Sequence, residues 1–206
     1  MSTKKGAKRY YDILITDEWK PTCCKKWDTK LDTENDWKTI FWKTSKISDI
    51  NLKWFQTKIL HRCLGNNVLL KQMKIIDSDQ CIFCQDGTDT IEHMFWECNE
   101  IHAFWNQLMD ILNRKCINTV NVNVTKSLVL LGHDPNIHLD NVSYFILIFA
   151  KKYIYQCKLK EVKPILKVFL SKLKYRHKIE KYNARMKFSQ NKFDIDWMPY
   201  QPLISD

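Results

Sequence analysis

The apolar positions of the chain recur with the period of an amphipathic helix in the stretch SDINLKWFQTKILHRCLGNN, residues 48 to 67. Ser48 or Asp49 offers a side-chain oxygen to the first turn, and Gly65 offers a backbone that can end a helix. The pattern therefore predicts a helix with one face in the core. The positions on that face are Leu52, Phe55, Ile59 and Cys63.

A second stripe begins after Asn99, which can cap a longer helix. Its apolar positions are spaced i, i+3, i+4, i+7, i+10 and i+11, and this regularity indicates a core face and not a cofactor site. These positions are Ile101, Phe104, Trp105, Leu108, Ile111 and Leu112. Between the two stripes we predict a short helix from Asn67 to Ile75 and one or two helical turns from Thr90 to Cys98.

Two further helices are predicted near the C-terminus, one from Val142 to Leu159 and one with Pro164 in its first turn. The apolar positions of the second are Leu166, Phe169, Leu170 and Leu173. The two helices are expected to form a helical hairpin. The segment from Phe193 onward, which contains two prolines, is expected to pack as an irregular tail.

Two segments have weaker patterns. Residues 10 to 47 mix aromatic and polar positions, which favours short helices and loops. In residues 116 to 140, Val120, Val122 and Val124 alternate with polar residues as in a strand, but the intervening asparagines are weak strand formers. Only four glycines and five prolines are present, too few turn residues for a many-stranded sandwich or barrel. The predicted fold class is mainly α, in a small helical domain.

The charge of the chain is concentrated in one region. The formal net charge is +10, and the segment from residue 142 to residue 192 alone carries fourteen Lys or Arg against Glu161 and Glu180. Such an excess favours an acidic polymer as partner. Aromatic residues between the lysines offer stacking faces beside phosphate contacts. The alternative, that the lysines only solvate a helix surface, stays open at this point.

The predicted nucleic-acid contacts are the cations of this basic helical hairpin together with Arg62, whose guanidinium can grip phosphate or stack on a base. A structural pairing of Arg62 with a nearby acid is an equal alternative. The candidate contact residues are Arg62, Lys151, Lys152, Lys158, Lys160, Lys163, Lys167, Lys172, Lys174, Arg176, Lys178, Lys181, Arg185 and Lys187.

Eight cysteines are present, and the opening MSTKKGAKRYYD lacks the apolar core of a secretory signal. We therefore expect reduced thiols and a nuclear or cytoplasmic location, where clustered Cys and His residues more often bind metal than form disulfides. Cys23 and Cys24 have no nearby His and are interpreted as packing thiols. The longest apolar run, residues 144 to 150, is far short of the roughly 20 residues of a bilayer span.

One constellation has the spacing of a metal site, C-x2-C-x8-H-x4-C. Its members are Cys81, Cys84, His93 and Cys98. Four Cys and His donors complete a zinc tetrahedron and leave no position for a reactive water, so we predict one structural Zn²⁺ in a CCHC knuckle. Gly87 lies between the ligand pairs, where a chain reversal is required. His102 is a weaker alternative to His93.

These motifs together resemble a known family. The sequences LKWFQTKILHRCLGNNVLLKQMKI, CIFC, IEHMFWEC and AFW are similar to the zinc-binding domain that follows the reverse transcriptase of non-LTR, LINE-like retrotransposons. The similarity covers about residues 37 to 112 and is weaker in the opening YYDILI and in the lysine-rich helices. It implies the same four ligands and a role in holding template RNA or target DNA beside a reverse transcriptase on the same or another chain.

The resemblance suggests three regions: residues 1–36 as a connector from a polymerase thumb, 37–115 as the zinc-binding domain, and 116–206 as the basic helical region. The chain shows no aspartate pair of a polymerase palm and no recognisable endonuclease centre, so no catalytic residue is expected. The predicted function is a non-catalytic nucleic-acid-binding accessory domain, from a truncated or host-retained copy of such an element. The alternative is a zinc-stabilised protein-interaction adaptor.

Overall fold

The computed structural model describes residues 21–115 and 124–205, and its backbone contacts divide the chain into two units, 1–37 and 38–206. Within the described residues the fold is mainly helical, with no strand. The helices are α1 (Thr22–Leu31), α2 (Trp37–Ser45), α3 (Ile50–Leu60), α4 (Asn67–Gln72), α5 (Asn99–Lys115), α6 (Lys126–Leu131), α7 (Asn141–Leu159), α8 (Leu166–Met186), α9 (Gln190–Trp197) and α10 (Gln201–Ile204). A π-helical turn spans His93–Glu97, and a 3₁₀ turn spans Met198–Tyr200.

The prediction of α3 is confirmed at its start and wrong at its end. Asp49 caps the helix, since its side chain accepts hydrogen bonds from the backbone N–H groups of Asn51 and Leu52. The helix ends at Leu60, before Gly65, and Arg62 takes the left-handed conformation there with φ of 56°. Cys63 therefore falls outside the helix and is exposed.

Helix α5 has the predicted core face, with only Ile111 half-exposed among its stripe residues. The Trp105 side chain is 1% exposed, and its Nε1 donates a hydrogen bond to the carbonyl of Phe95 at 2.8 Å. This bond ties α5 to the π-helical turn before it. The core of the larger unit thus extends from α5 directly to the segment that carries His93.

The C-terminal predictions need two corrections. Pro164 precedes α8, which begins at Leu166, instead of lying in its first turn. The segment after residue 189 is helical and not an irregular tail, because Trp197, Tyr200 and Leu203 are buried and give it a packed face. The strand considered around residues 120 to 124 lies almost wholly outside the described residues.

Helices from both sides of residues 116–123 pack within the same unit. Rings of α5, α7 and α8 meet in one aromatic cluster, in which Phe104, Tyr153 and Phe169 have centroids 5.6–5.9 Å apart. The Tyr153 hydroxyl also donates to the carbonyl of Ile165 at the start of α8. None of the described helices is long and apolar enough to span a bilayer.

A lysine is buried where α3, α6 and α7 meet. Lys151 is 0% exposed, and its Nζ donates to Gln56 Oε1 at 2.5 Å. The Gln56 amide in turn donates to the carbonyl of Leu130 at 3.3 Å. Burial lowers the pKa of Lys151 from its ordinary 10.5 to about 7. The prediction that Lys151 contacts nucleic acid is therefore wrong, since no part of its side chain reaches the surface.

The buried lysine predicts a pH-dependent stability. Between about pH 7 and 10.5 the unfolded chain binds a proton at Lys151 that the folded chain does not, so the free energy of unfolding rises with pH in this window. The slope of the free energy of unfolding with pH is up to about 1.4 kcal/mol per pH unit. This slope vanishes below the folded pKa, because both states are then protonated.

Urea unfolding at about pH 7, 8 and 9 measures this slope. Lys151→Met should remove the contribution, whereas Lys167→Met, which changes an exposed lysine, should leave it intact. Equal slopes for the wild-type protein and Lys151→Met would contradict the expectation.

Candidate metal centre

The first two sulfur ligands lie on one tight turn. The Cys81 N–H donates to the Gly87 carbonyl at 2.7 Å, and the Gln85 N–H donates back to the Cys81 carbonyl at 2.9 Å. Gln85 has φ of 58°, the left-handed conformation that reverses the chain. These bonds fix Cys81 and Cys84 on the same side of the turn.

The other two ligands are brought together by the π-helical turn. The Cys98 N–H donates to the His93 carbonyl at 3.0 Å, an i→i+5 bond. In an α-helix, residues five apart point in clearly different directions, and the wider π turn brings them to one side. Thr90 supports the start of this turn by accepting a hydrogen bond from the His93 N–H at 3.0 Å.

The four ligand atoms form a compact group. All lie within 4.8 Å of one another, so the group can hold a metal ion. The Cys81 and Cys98 sulfurs are 3.9 Å apart, and the Cys84 sulfur is 3.3 Å from His93 Nε2. Cys81 and Cys98 are buried, while Cys84 and His93 are half-buried.

His102, the alternative to His93 as the fourth ligand, lies outside the ligand group. It is exposed on α5, with its ring 4.9 Å from that of Trp96 and its Nδ1 3.2 Å from the Asn106 amide. Cys23 and Cys24 belong to the smaller unit and are buried there. Burial and the neighbouring Cys23 raise the pKa of the Cys24 thiol to about 12, as expected for a packing thiol and not a ligand.

The pKa values of the two buried thiols are shifted in opposite directions. A hydrogen bond to Cys98 and burial raise the pKa of the Cys81 thiol, and the same hydrogen bond lowers the pKa of Cys98. In this hydrogen bond the Cys81 thiol donates its proton to the Cys98 sulfur. Metal binding requires both thiolates and therefore releases this proton.

A glycine is required at position 87 because the His93 ring packs against it, and not because of its backbone conformation. A Cβ at this position would lie 2.2 Å from His93 Cε1, closer than any van der Waals contact allows. The ring of His93 therefore packs directly on the peptide of Gly87. The sequence suggested Gly87 for a chain reversal, and the structure gives it this second role.

Gly87→Ala is expected to lower the affinity for zinc by roughly 10–100-fold, because the methyl group displaces His93 from the ligand group. Competition with a chromophoric zinc chelator measures the change. Gly65→Ala is the matched control, since its added Cβ would meet only the Tyr155 hydroxyl, at 3.3 Å. Equal zinc affinities for the two variants would argue against the assigned role of Gly87.

Two ion pairs hold the segment between the ligand pairs. Asp89 is 0% exposed; its Oδ2 lies 3.0 Å from Lys158 Nζ and accepts from the Asn67 N–H at 2.6 Å. Glu92, 3% exposed, pairs with Arg62 at 2.8 Å. Of the two alternatives for Arg62, the structure therefore shows the pairing with a nearby acid. Sequence reasoning missed both acids, although their positions between ligands could have suggested a supporting role.

The predicted nucleic-acid contacts fall into four groups. Lys151 and Lys158 are buried, so the prediction of surface contacts is wrong for both. Four others lie in ion pairs: Arg62 with Glu92, Lys163 with Glu100, Arg176 with Asp49 and Glu180, and Lys181 with Asp194. Lys152 and Lys174 are half-buried. The exposed remainder are Lys160, Lys167, Lys172, Lys178, Arg185 and Lys187.

Comparison of the sequence with known protein families and with curated proteins finds no match.

Proposed function

We propose that this chain is a non-catalytic, zinc-stabilised module that binds RNA or DNA, acting as an accessory domain to a reverse transcriptase of the non-LTR type. The observation that carries the binding function is an exposed face of α8 on which aromatic and cationic side chains alternate. The group of Cys81, Cys84, His93 and Cys98 supports zinc as the ion and a structural role for it.

Two distances within the ligand group support zinc as the ion. With Zn–S bonds of about 2.3 Å and a Zn–N bond of about 2.0 Å, tetrahedral edges are roughly 3.8 Å between sulfurs and roughly 3.5 Å between sulfur and nitrogen. The sulfurs of Cys81 and Cys98, 3.9 Å apart, and the 3.3 Å contact of Cys84 with His93 lie close to these edges. Three thiolates and one imidazole also match the donor preference of zinc.

The exposed face of α8 follows directly from its sequence. Residues at positions 168, 175, 182 and 186 fall on one side of a helix, opposite the buried Phe169 and Leu173. Val168, Tyr175, Tyr182 and Met186 on this face are 42%, 69%, 61% and 64% exposed. A stripe of this kind offers flat rings to unstacked bases.

Cations lie along this stripe. Lys167, Lys172, Lys178 and Arg185 are exposed, and none of them forms an ion pair with a described residue. The charge of Arg185 is partly compensated by Asp194, whose pKa it lowers. Two other cations of the same helix, Arg176 and Lys181, have acids as ion-pair partners. The unpaired positive charge supports phosphate binding along α8, where counterion release would supply the affinity.

Anisotropy titrations with labelled single-stranded RNA and DNA at about 50 and 200 mM salt test the proposal. Affinity should fall steeply with salt, and Lys172→Glu/Lys178→Glu should lower the slope of log K against log[salt] by about two. The control is Lys25→Glu/Lys26→Glu, which makes the same charge change on α1 and should have much less effect.

Affinity that is independent of salt, or equal losses in both double variants, would reject α8 as the binding surface. The adaptor function would instead be supported if the chain bound neither RNA nor DNA and captured a protein partner in a complex that survives nuclease treatment.

A further inference from the structure

A cleft lies between α3 and α7, on a part of the larger unit that the α8 stripe does not include. Its volume is about 440 Å³, within the range of about 300–1,000 Å³ that is typical of small-ligand sites. Phe55 and Tyr155 contribute to its lining, and their ring centroids are 5.7 Å apart. Gly65 forms part of the rim, so no side chain obstructs that edge.

Two lysines face this cleft. Lys58 is exposed, and the half-buried Lys152 places its Nζ 4.8 Å from the ring centroid of Phe55. Neither forms an ion pair with a described residue. Burial and the charge of Lys58 lower the pKa of Lys152, and the charge of Asp49 offsets only part of this shift. An anion between the two ammonium groups would relieve their repulsion.

The acid in the cleft wall is already engaged. Asp49 pairs with Arg176, which also contacts Glu180 at 2.6 Å. Because this cation is compensated by two acids, it does not attract an anion as strongly as Lys58 and Lys152. The two lysines are therefore the anion-binding part of the cleft.

A large aromatic ring stands beside the lysines. Trp54 lines the cleft, is 60% exposed and lies four residues before Lys58, on the same face of α3. At this exposure most of the Trp54 ring adds nothing to the hydrophobic core and is open to a partner. Asn51 and Gln156 add amide donors and acceptors to the wall. A flat ring, a pair of cations and amide groups are the chemistry that recognises a phosphate attached to a base.

We propose that the cleft binds one unstacked nucleotide of a single strand, with its phosphate between Lys58 and Lys152 and its base on Trp54. The inference rests on the proposed nucleic-acid-binding function for the presence of a strand. It adds that single strands are preferred to duplexes, because a duplex keeps its bases stacked and cannot place one in a cleft. The α8 face and the cleft would then contact different parts of the same strand.

The test compares Trp54→Ala with Trp42→Ala in titrations of a labelled ten-nucleotide single strand and of a duplex of equal length. Trp42 is the matched control, since it is also 60% exposed and has Lys46 Nζ 5.4 Å from its ring centroid, but does not line this cleft. Trp54→Ala and Lys58→Ala should each weaken single-strand binding about tenfold. Trp42→Ala, Lys46→Ala and all measurements on the duplex should change less than twofold.

A second measurement does not depend on the variants. Photo-crosslinking of the wild-type protein to a strand that contains 5-iodouracil should modify the peptide that carries Trp54, and peptide mass spectrometry locates the adduct. Crosslinks confined to other peptides, or equal losses for the two tryptophan variants, would overturn the cleft while strand binding remained. Absence of salt-dependent binding to any strand would instead reject the proposed function itself.

Discussion

Removing the metal is expected to loosen the segment from residue 75 to residue 112, most of all the part before α5, while the rest of the larger unit keeps its helices. The reason is that this segment has few other constraints at its start: α4 has no buried residue, and no helix is present from residue 73 to residue 90. In structural zinc sites the free energy of binding, on the order of 10–16 kcal/mol in isolated peptides, becomes folding free energy. Chelation should therefore increase amide hydrogen exchange by orders of magnitude here.

Cys98→Ser should reproduce the effect of chelation, because it removes a buried ligand from the group. Cys63→Ser is the matched control: Cys63 is exposed and is not a ligand. Native mass spectrometry should find one zinc per chain in the wild type and in Cys63→Ser. Unchanged near-ultraviolet circular dichroism and hydrogen exchange after verified loss of zinc would show that the metal does not hold this segment.

Asp89→Asn is expected to destabilise the protein by about 3–5 kcal/mol, the usual cost of leaving one charge of a buried pair without its partner. Asp89 is 0% exposed, and Lys158, 3.0 Å away, has a side chain only 6% exposed. The pair joins the loop between the metal ligands to α7, so its loss should also lower the affinity for zinc. Equilibrium urea unfolding of the zinc-bound protein measures the change.

The control for Asp89→Asn is Asp79→Asn, at a carboxylate before the first ligand that pairs with Lys71 at 2.9 Å on the surface. Solvent screens this exposed pair, and little change is expected. In a double-mutant cycle, Asp89→Asn combined with Lys158→Met should cost less than the sum of the single changes. Strict additivity would mean that the two charges do not interact in solution.

The metal ligands and the proposed nucleic-acid contacts lie in different parts of the larger unit. The ligand atoms are buried or half-buried, whereas the α8 face and the cleft are open to solvent and lie on other helices. We therefore expect the ion to shape the domain and not to touch the strand. Zinc loss should weaken binding through unfolding, and the loss should follow hydrogen exchange in residues 75–112.

The sequence by itself determined the helices and the ligand set. Helical spacing located α3, α5, α7 and α8, because a helix that buries one face must repeat its apolar residues every three or four positions. The C-x2-C-x8-H-x4-C spacing selected four donors, and the structure places their atoms within 4.8 Å of one another. Both patterns are local, so one sequence is enough to read them.

Only the tertiary structure decided which cations are available. Lys151, Lys152 and Lys158 belong to the same lysine-rich run, yet the first is buried against Gln56, the second faces a cleft and the third pairs with Asp89. Their surroundings come from residues about 60 to 100 positions away in the chain. Charge composition gives the sign of a surface, but burial and pairing depend on contacts that no local pattern encodes.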